Sequence, residues 1–174
     1  MKIDTVISAD EQTYLQYPGK VKAAQDISLA FRVSGTIQKI YVENGARVSQ
    51  GQLLAELDPT DYQVQLDATE AEYKQIKADA KRVMSLYKDS VTTSSANDKA
   101  VYGLKQIAAK YRHHKDQLNY TKLYAPFNGF VQKRLFEAHE TIGAGMPVLS
   151  IISSSMPEVE INLPAAEYIR RGQF

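Results

Sequence analysis

The chain has 174 residues, 44% of them hydrophobic and 24% charged, with a net charge of +1. That balance fits one or two small folded domains and supplies no bulk attraction to nucleic acid or to an anionic membrane. Cysteine is absent, which excludes disulfides, thiolate nucleophiles and cysteine metal sites together.

In chain order, residues 1–18 hold two strand-like stretches, Thr5-Val6-Ile7 and Gln12 to Tyr17. Residues 19–57 read as short strands. Ile37, Lys39, Tyr41 and Val42 suggest alternation, Asn44-Gly45 marks a tight turn, and Gly51-Gln52 breaks the chain again before Leu53 to Leu57.

From residue 58 to residue 120 the apolar period changes from two to a heptad. Tyr62, Leu66, Thr69, Tyr73, Ile76, Ala80, Val83 and Tyr87 step by alternating fours and threes. After the hydroxyl-rich run Ser90 to Ser95, the stepping resumes at Ala100, Leu104, Ile107, Tyr111, His114, Leu118 and Thr121. Asp58-Pro59-Thr60-Asp61 supplies an N-cap, a first-turn proline and a first-turn acid. Ser95-Ala96-Asn97-Asp98 is a capping-box-like start for the second helix. Two helices joined by a short loop run antiparallel, so the segment is a coiled-coil hairpin. Its seam is soft, with Tyr, Thr, Ala and His where Leu and Ile would pack best, and Gly103 in a helix interior. Either partners or neighbouring copies cover further surface, or the pair is marginal and held by its β base.

Residues 121–153 repeat the first β half without a gap, at a constant spacing of 94 positions. Gly35 matches Gly129, Gln38-Lys39 matches Gln132-Lys133, Glu43 matches Glu137 and Gly51 matches Gly145. The apolar phase is kept as well, in Ile37 with Val131, Val42 with Phe136, Val48 with Ile142 and Leu54 with Val148. Two matching strand sets make a small β-sandwich, so the fold class is α+β, with the hairpin inserted between the halves. Residues 154–174 hold a strand-like Glu158 to Pro164 and a short helical stretch, Ala165 to Ile169.

Ser28 to Gly35, Gly51 to Asp58 and Leu118 to Gly129 resemble the periplasmic adaptors, the membrane fusion proteins of tripartite efflux pumps, over residues 19–164. The resemblance implies a lipoyl-like sandwich split by the hairpin. It assigns residues 19–57 and 121–153 to the lipoyl halves, and residues 1–18 and 154–174 to an incomplete, membrane-proximal β-barrel domain. It implies an adaptor, not an enzyme, that bridges an inner-membrane transporter, most commonly a proton-driven drug pump, and an outer-membrane channel, assembled as a hexamer. The location implied is the periplasm, with an inner-membrane anchor absent from this chain, which is expected to be a truncated product. No apolar run reaches the roughly 20 residues that span a bilayer, and Met1-Lys2-Ile3-Asp4 lacks a signal-peptide core.

In that family an Arg, a Leu four residues later and a Ser seven further on carry channel docking at the hairpin tip. Arg82 and Leu86 match, and Thr93 stands in the Ser position and keeps the hydroxyl. Asp98-Lys99-Ala100 follows at the usual distance, whereas Asn97 replaces an apolar residue of the pattern.

Rival functions find little support. A swinging-arm carrier of biotin or lipoate needs a lysine where the two halves join, and none lies between Lys39 and Lys74. No cofactor is expected. His113 and His114 are adjacent and point to different helix faces, unlike a chelating pair four residues apart, and no metal site is expected. There is no nucleophile motif or phosphate loop. An adaptor of an ABC-type or type I secretion exporter, or a coiled-coil scaffold outside transport, remains the alternative.

Overall fold

The computed structural model describes residues 19–22, 25–155 and 158–161. Ten strands and two helices follow in order: β1 (Gly19–Lys22), β2 (Asp26–Ala30), β3 (Gly35–Ile40), β4 (Arg47–Val48), β5 (Leu53–Leu57), α1 (Thr60–Lys88), α2 (Ser94–Asn119), β6 (Lys122–Tyr124), β7 (Gly129–Arg134), β8 (Thr141–Ile142), β9 (Pro147–Ser153) and β10 (Glu158–Ile161). The fold is α+β, a lipoyl-like sandwich split by an antiparallel helical hairpin. The expectations for residues 1–18 and for the helix over 165–169 lie outside the described residues.

The repeat spacing reappears as a pseudo-two-fold axis. The sandwich has one sheet in the order β2-β9-β7-β4 and another in the order β6-β5-β3-β8, while β1 pairs with β10 in a separate two-stranded sheet, so residues 19–22 lie outside the lipoyl half expected to hold them. Moving every strand to its counterpart in the other half converts one order into the other. Register follows the same rule: Ile37 opposes Leu57 and Lys39 opposes Glu56 around a bulge, while Val131 opposes Ile151 and Lys133 opposes Ser150 around the equivalent bulge. Each half therefore gives its central strand pair to one sheet and both edge strands to the other. The halves interleave.

Turn chemistry repeats as well. The Gly45 N–H donates to the Val131 carbonyl at 2.7 Å, and the His139 N–H donates to the Ile37 carbonyl at 2.7 Å. Both residues are left-handed, at φ 80° and 73°. Glycine takes that conformation freely and histidine at a cost.

The core lies between the sheets, with Phe31, Ile37, Leu54, Leu57, Val131, Leu149 and Ile151 at 1% exposure or less. Symmetry-related positions trade volume: Phe31 faces the role of Ala125, while Ala55 and Val42 correspond to the larger Leu149 and Phe136. A large residue in one half is matched by a small one in the other, so the two halves share the volume of one interior.

The hairpin stands outside this core. At 1.5 Å per residue its helices of 29 and 26 residues are rods of about 43 and 39 Å. The N-cap position of α1 falls on Pro59, which has no side-chain cap bond, and Asp58 just before it accepts the Thr60 N–H at 3.0 Å and the Thr60 hydroxyl at 2.6 Å. Those two bonds, the hydroxyl first, hold its carboxyl below the usual carboxylate range. The depressed value makes these two bonds fully effective above the ordinary range and lost as pH falls through the lowered one.

The heptad positions form the seam, with Leu66, Thr69, Ala80 and Ile107 buried. Tyr73 and Tyr111 stack across it with ring centroids 5.2 Å apart. The Thr69 hydroxyl donates to the Gln65 carbonyl at 2.9 Å and lies 2.8 Å from His114 Nδ1. That nitrogen is also 3.2 Å from the Gln65 carbonyl, which only accepts, so the network assigns the proton to Nδ1. His114 is thus a satisfied seam residue, and His113 points to solvent.

Besides the start of α1, where the N-cap is Pro59 and not Asp58, two further expectations are corrected. Tyr87, one residue before the end of α1 at Lys88, is 43% exposed and does not extend the buried seam. The second helix is capped by Thr93, not Ser95: Thr93 is extended, with φ −84° and ψ 155°, and its hydroxyl accepts the Ala96 N–H.

Gly35 and Gly129 are related by the axis yet differ in tolerance. A Cβ on Gly129 would sit 2.0 Å from the Ile152 carbonyl oxygen, which is backbone, whereas one on Gly35 would meet only the Leu57 side chain at 3.3 Å. Gly129→Ala is expected to cost about 3 kcal/mol or more by forcing β7 from β9, and Gly35→Ala under about 1.5 kcal/mol. Urea unfolding of the two variants checks this; equal losses would contradict it.

Candidate docking site at the hairpin tip

The distal end of the hairpin is built from the last two turns of α1, a connection over residues 89–93 and the first turn of α2. The helix terminates in a Schellman motif. The Val91 N–H donates to the Leu86 carbonyl at 2.8 Å and the Ser90 N–H to the Tyr87 carbonyl at 3.0 Å, with Ser90 left-handed at φ 58°. Glycine is the usual residue at that position, and a serine there stores strain. The motif places Val91 at the position that pairs with Leu86. Both are open to solvent, Val91 at 70% exposure and Leu86 at 45%.

Arg82 lies one turn before Leu86 on the same helix face, exposed and ion-paired with Asp79. Exposed pairs of this kind are weakly bound, about 0–1 kcal/mol, so the guanidinium is readily released to another acceptor. Thr93 starts the opposite helix. Its hydroxyl oxygen accepts the Ala96 N–H at 3.2 Å and keeps its own proton to donate. The structure places Arg82, Leu86 and Thr93 around one tip. Sequence reasoning missed Val91 and Ser90. Their only signal was a β-branched apolar residue within a hydroxyl-rich turn.

At the opposite end of the hairpin, a polar cleft of about 500 Å³ is lined by Ser34, Thr36, Asp58, Asp61, Tyr62 and Gln65, among others. Of its two carboxylates, Asp58 is already committed to Thr60 at the helix start. Among the described residues, no cluster of three or more metal-ligating side chains occurs, and no helix is long and apolar enough to cross a membrane.

Residues 25–154, the sandwich with its inserted hairpin, match the family model described as RND MFP, barrel-sandwich hybrid domain, where RND is resistance-nodulation-division and MFP is membrane fusion protein. The chain belongs to this membrane fusion protein family. This family member is 26% identical over 175 residues to the multidrug resistance protein MdtA of Proteus mirabilis strain HI4320, covering 92% of this chain and 43% of that protein. It is 31% identical over 112 residues to the solvent efflux pump periplasmic linker SrpA of Pseudomonas putida, covering 64% of this chain and 29% of that one. The membrane fusion protein chain thus spans less than half the length of the curated relatives it matches.

Solved structures agree on the fold. A crystal structure from Bacteroides eggerthii, described as that of a candidate efflux transporter, superposes with a TM-score of 0.78 at 28% identity, covering 90% of this chain and 48% of that one. A MacA-MexA chimera carrying the Pseudomonas aeruginosa MexA α-hairpin gives 0.81 at 23% identity, covering 87% and 54%.

The strain at Ser90 yields a local test. Ser90→Gly is expected to stabilise the tip by about 0.5–1 kcal/mol, read as slower hydrogen exchange at the Val91 amide, and Ser90→Val to do the reverse. Faster exchange in the glycine variant would contradict the motif.

Proposed function

We propose that this protein is a periplasmic adaptor subunit of a tripartite efflux pump, linking an inner-membrane transporter, of the proton-driven multidrug type, to an outer-membrane channel. The observation that carries the reading is the family match over the whole of the sandwich and hairpin. Similarity to proteins described as multidrug resistance and solvent efflux linkers supports the same role. In this reading the protein acts by joining other components and has no catalytic task. It works in the periplasm as a hexamer, held at the inner membrane by an anchor outside this chain.

The channel contact is assigned to the hairpin tip. Leu86 and Val91 offer apolar surface whose burial would contribute about 1–2 kcal/mol each. Arg82 supplies a weakly committed cation and Thr93 a free hydroxyl proton. An apolar centre rimmed by a guanidinium and a hydroxyl is the composition of a small protein-protein hot spot.

The test is a double change, Arg82→Asp with Leu86→Ser, in the full-length protein. Both residues are exposed, so the fold and expression level should be kept. Drug tolerance is expected to drop to that of a strain lacking the adaptor. Unchanged tolerance at normal expression would sink the assignment of the tip.

A further inference from the structure

A long rod attached to a small sandwich raises a mechanical question, which is what fixes its angle. Neither helix packs along a strand of the sandwich. The covalent junction is narrow: the Leu57 N–H donates to the Thr121 carbonyl and the Asp58 N–H to the Thr36 carbonyl, at 2.8 and 2.9 Å. Both bonds lie close to the pivot, where they resist rotation least. A tilt of about 10° at the base would move the end of a 43 Å helix by roughly 7 Å.

We propose that the β2–β3 loop, residues 31–34, is a two-armed clamp that sets the hairpin angle. The loop alternates strictly in direction. Phe31 is 1% exposed in the core, and its carbonyl accepts the Gly145 N–H at 2.8 Å; Val33 packs against the same core. Those two residues make the loop a fixed part of the sandwich. The residues between and after them face the hairpin. The Arg32 guanidinium lies 3.9 Å from the ring centroid of Tyr120, the cap residue at the end of α2. The Ser34 carbonyl accepts the Tyr62 hydroxyl, from the first turn of α1, at 2.8 Å.

One arm therefore grips each helix, and both arms leave from four consecutive residues anchored in the core. A stacked guanidinium resists sliding across the ring, and a directional hydroxyl bond resists rotation about the rod axis. The equivalent loop in the second half does the same for the chain leaving β9. There the Asn128 carbonyl accepts the Ser154 N–H at 3.0 Å and the Ser154 hydroxyl at 3.0 Å. Ser34 and Asn128 are separated by the repeat spacing, so the fold uses one loop position twice to hold the two chain segments that leave it. This clamp does not depend on the pump role.

The absence of cysteine allows two spin labels to be placed without background, at Ser95→Cys near the tip and Lys133→Cys on β7, both exposed. Pulsed electron-electron spin resonance on the protein should give one narrow distance distribution. Arg32→Ala combined with Tyr62→Phe is expected to broaden it about twofold or more, with each single change intermediate, while helicity by circular dichroism stays unchanged. Tyr62→Phe removes only the hydroxyl and keeps the ring, so it decides the matter alone if the double variant unfolds. Lys81→Ala, on the free surface of α1, should leave the width as it was. A distribution already broad in the parent, or one equally narrow in the folded clamp variants, would overturn the proposal.

Discussion

Neither half of the sandwich can satisfy its own backbone. The β3–β5 pair of the first half has β8 and β6 of the second on its two edges, and the β7–β9 pair has β4 and β2 of the first. Every edge hydrogen bond of one half's central pair is therefore made by the other half, and an unpaired buried backbone group costs about 1–3 kcal/mol. The helical hairpin is the covalent link between these two mutually dependent halves. Its two ends are brought together by the sheets, through the Leu57 to Thr121 bond and the buried Thr121, whose hydroxyl donates to the Leu118 carbonyl at 2.7 Å. The sandwich closes the helix pair, and the soft seam does not have to.

That division explains why so weak a coiled coil is tolerable. Thr69, His114, Tyr73 and Tyr111 occupy seam positions where polar atoms must find partners or rings must stack, and each does. Such a seam gives alignment more than stability, because a slip of one turn would strand the Thr69–His114–Gln65 network. The consequence at the far end is a tip with two exposed aliphatic side chains, a weakly held arginine and a hydroxyl, all supported by a defined helix termination and a defined cap.

Much of this was legible in the sequence, for identifiable reasons. The repeat spacing survives because each core position has a counterpart of the same polarity, and the heptad survives because all but one of its α1 seam positions are at least half-buried. What was not legible was pairing across the halves, since a period of two tells which face a residue takes and nothing about its neighbour strand. Ser90 and His139 hid their left-handed backbones because neither is glycine. Thr93 was passed over as a cap because four hydroxyl residues follow one another from Thr92 to Ser95, and only the backbone chooses among them. The clamp of Arg32 and Tyr62 joins positions far apart in sequence that carry no motif.

The central claim is that the two halves fold only together, and fragment complementation tests it most directly. Cutting the chain at the tip gives residues 19–90 and 91–161, each with one strand set and one helix. Each fragment alone is predicted to be largely unstructured by circular dichroism and nuclear magnetic resonance, and mixing them to restore the native sheet and helix signals at equal stoichiometry. A fragment that folds by itself with native strand signals would contradict the interleaved account.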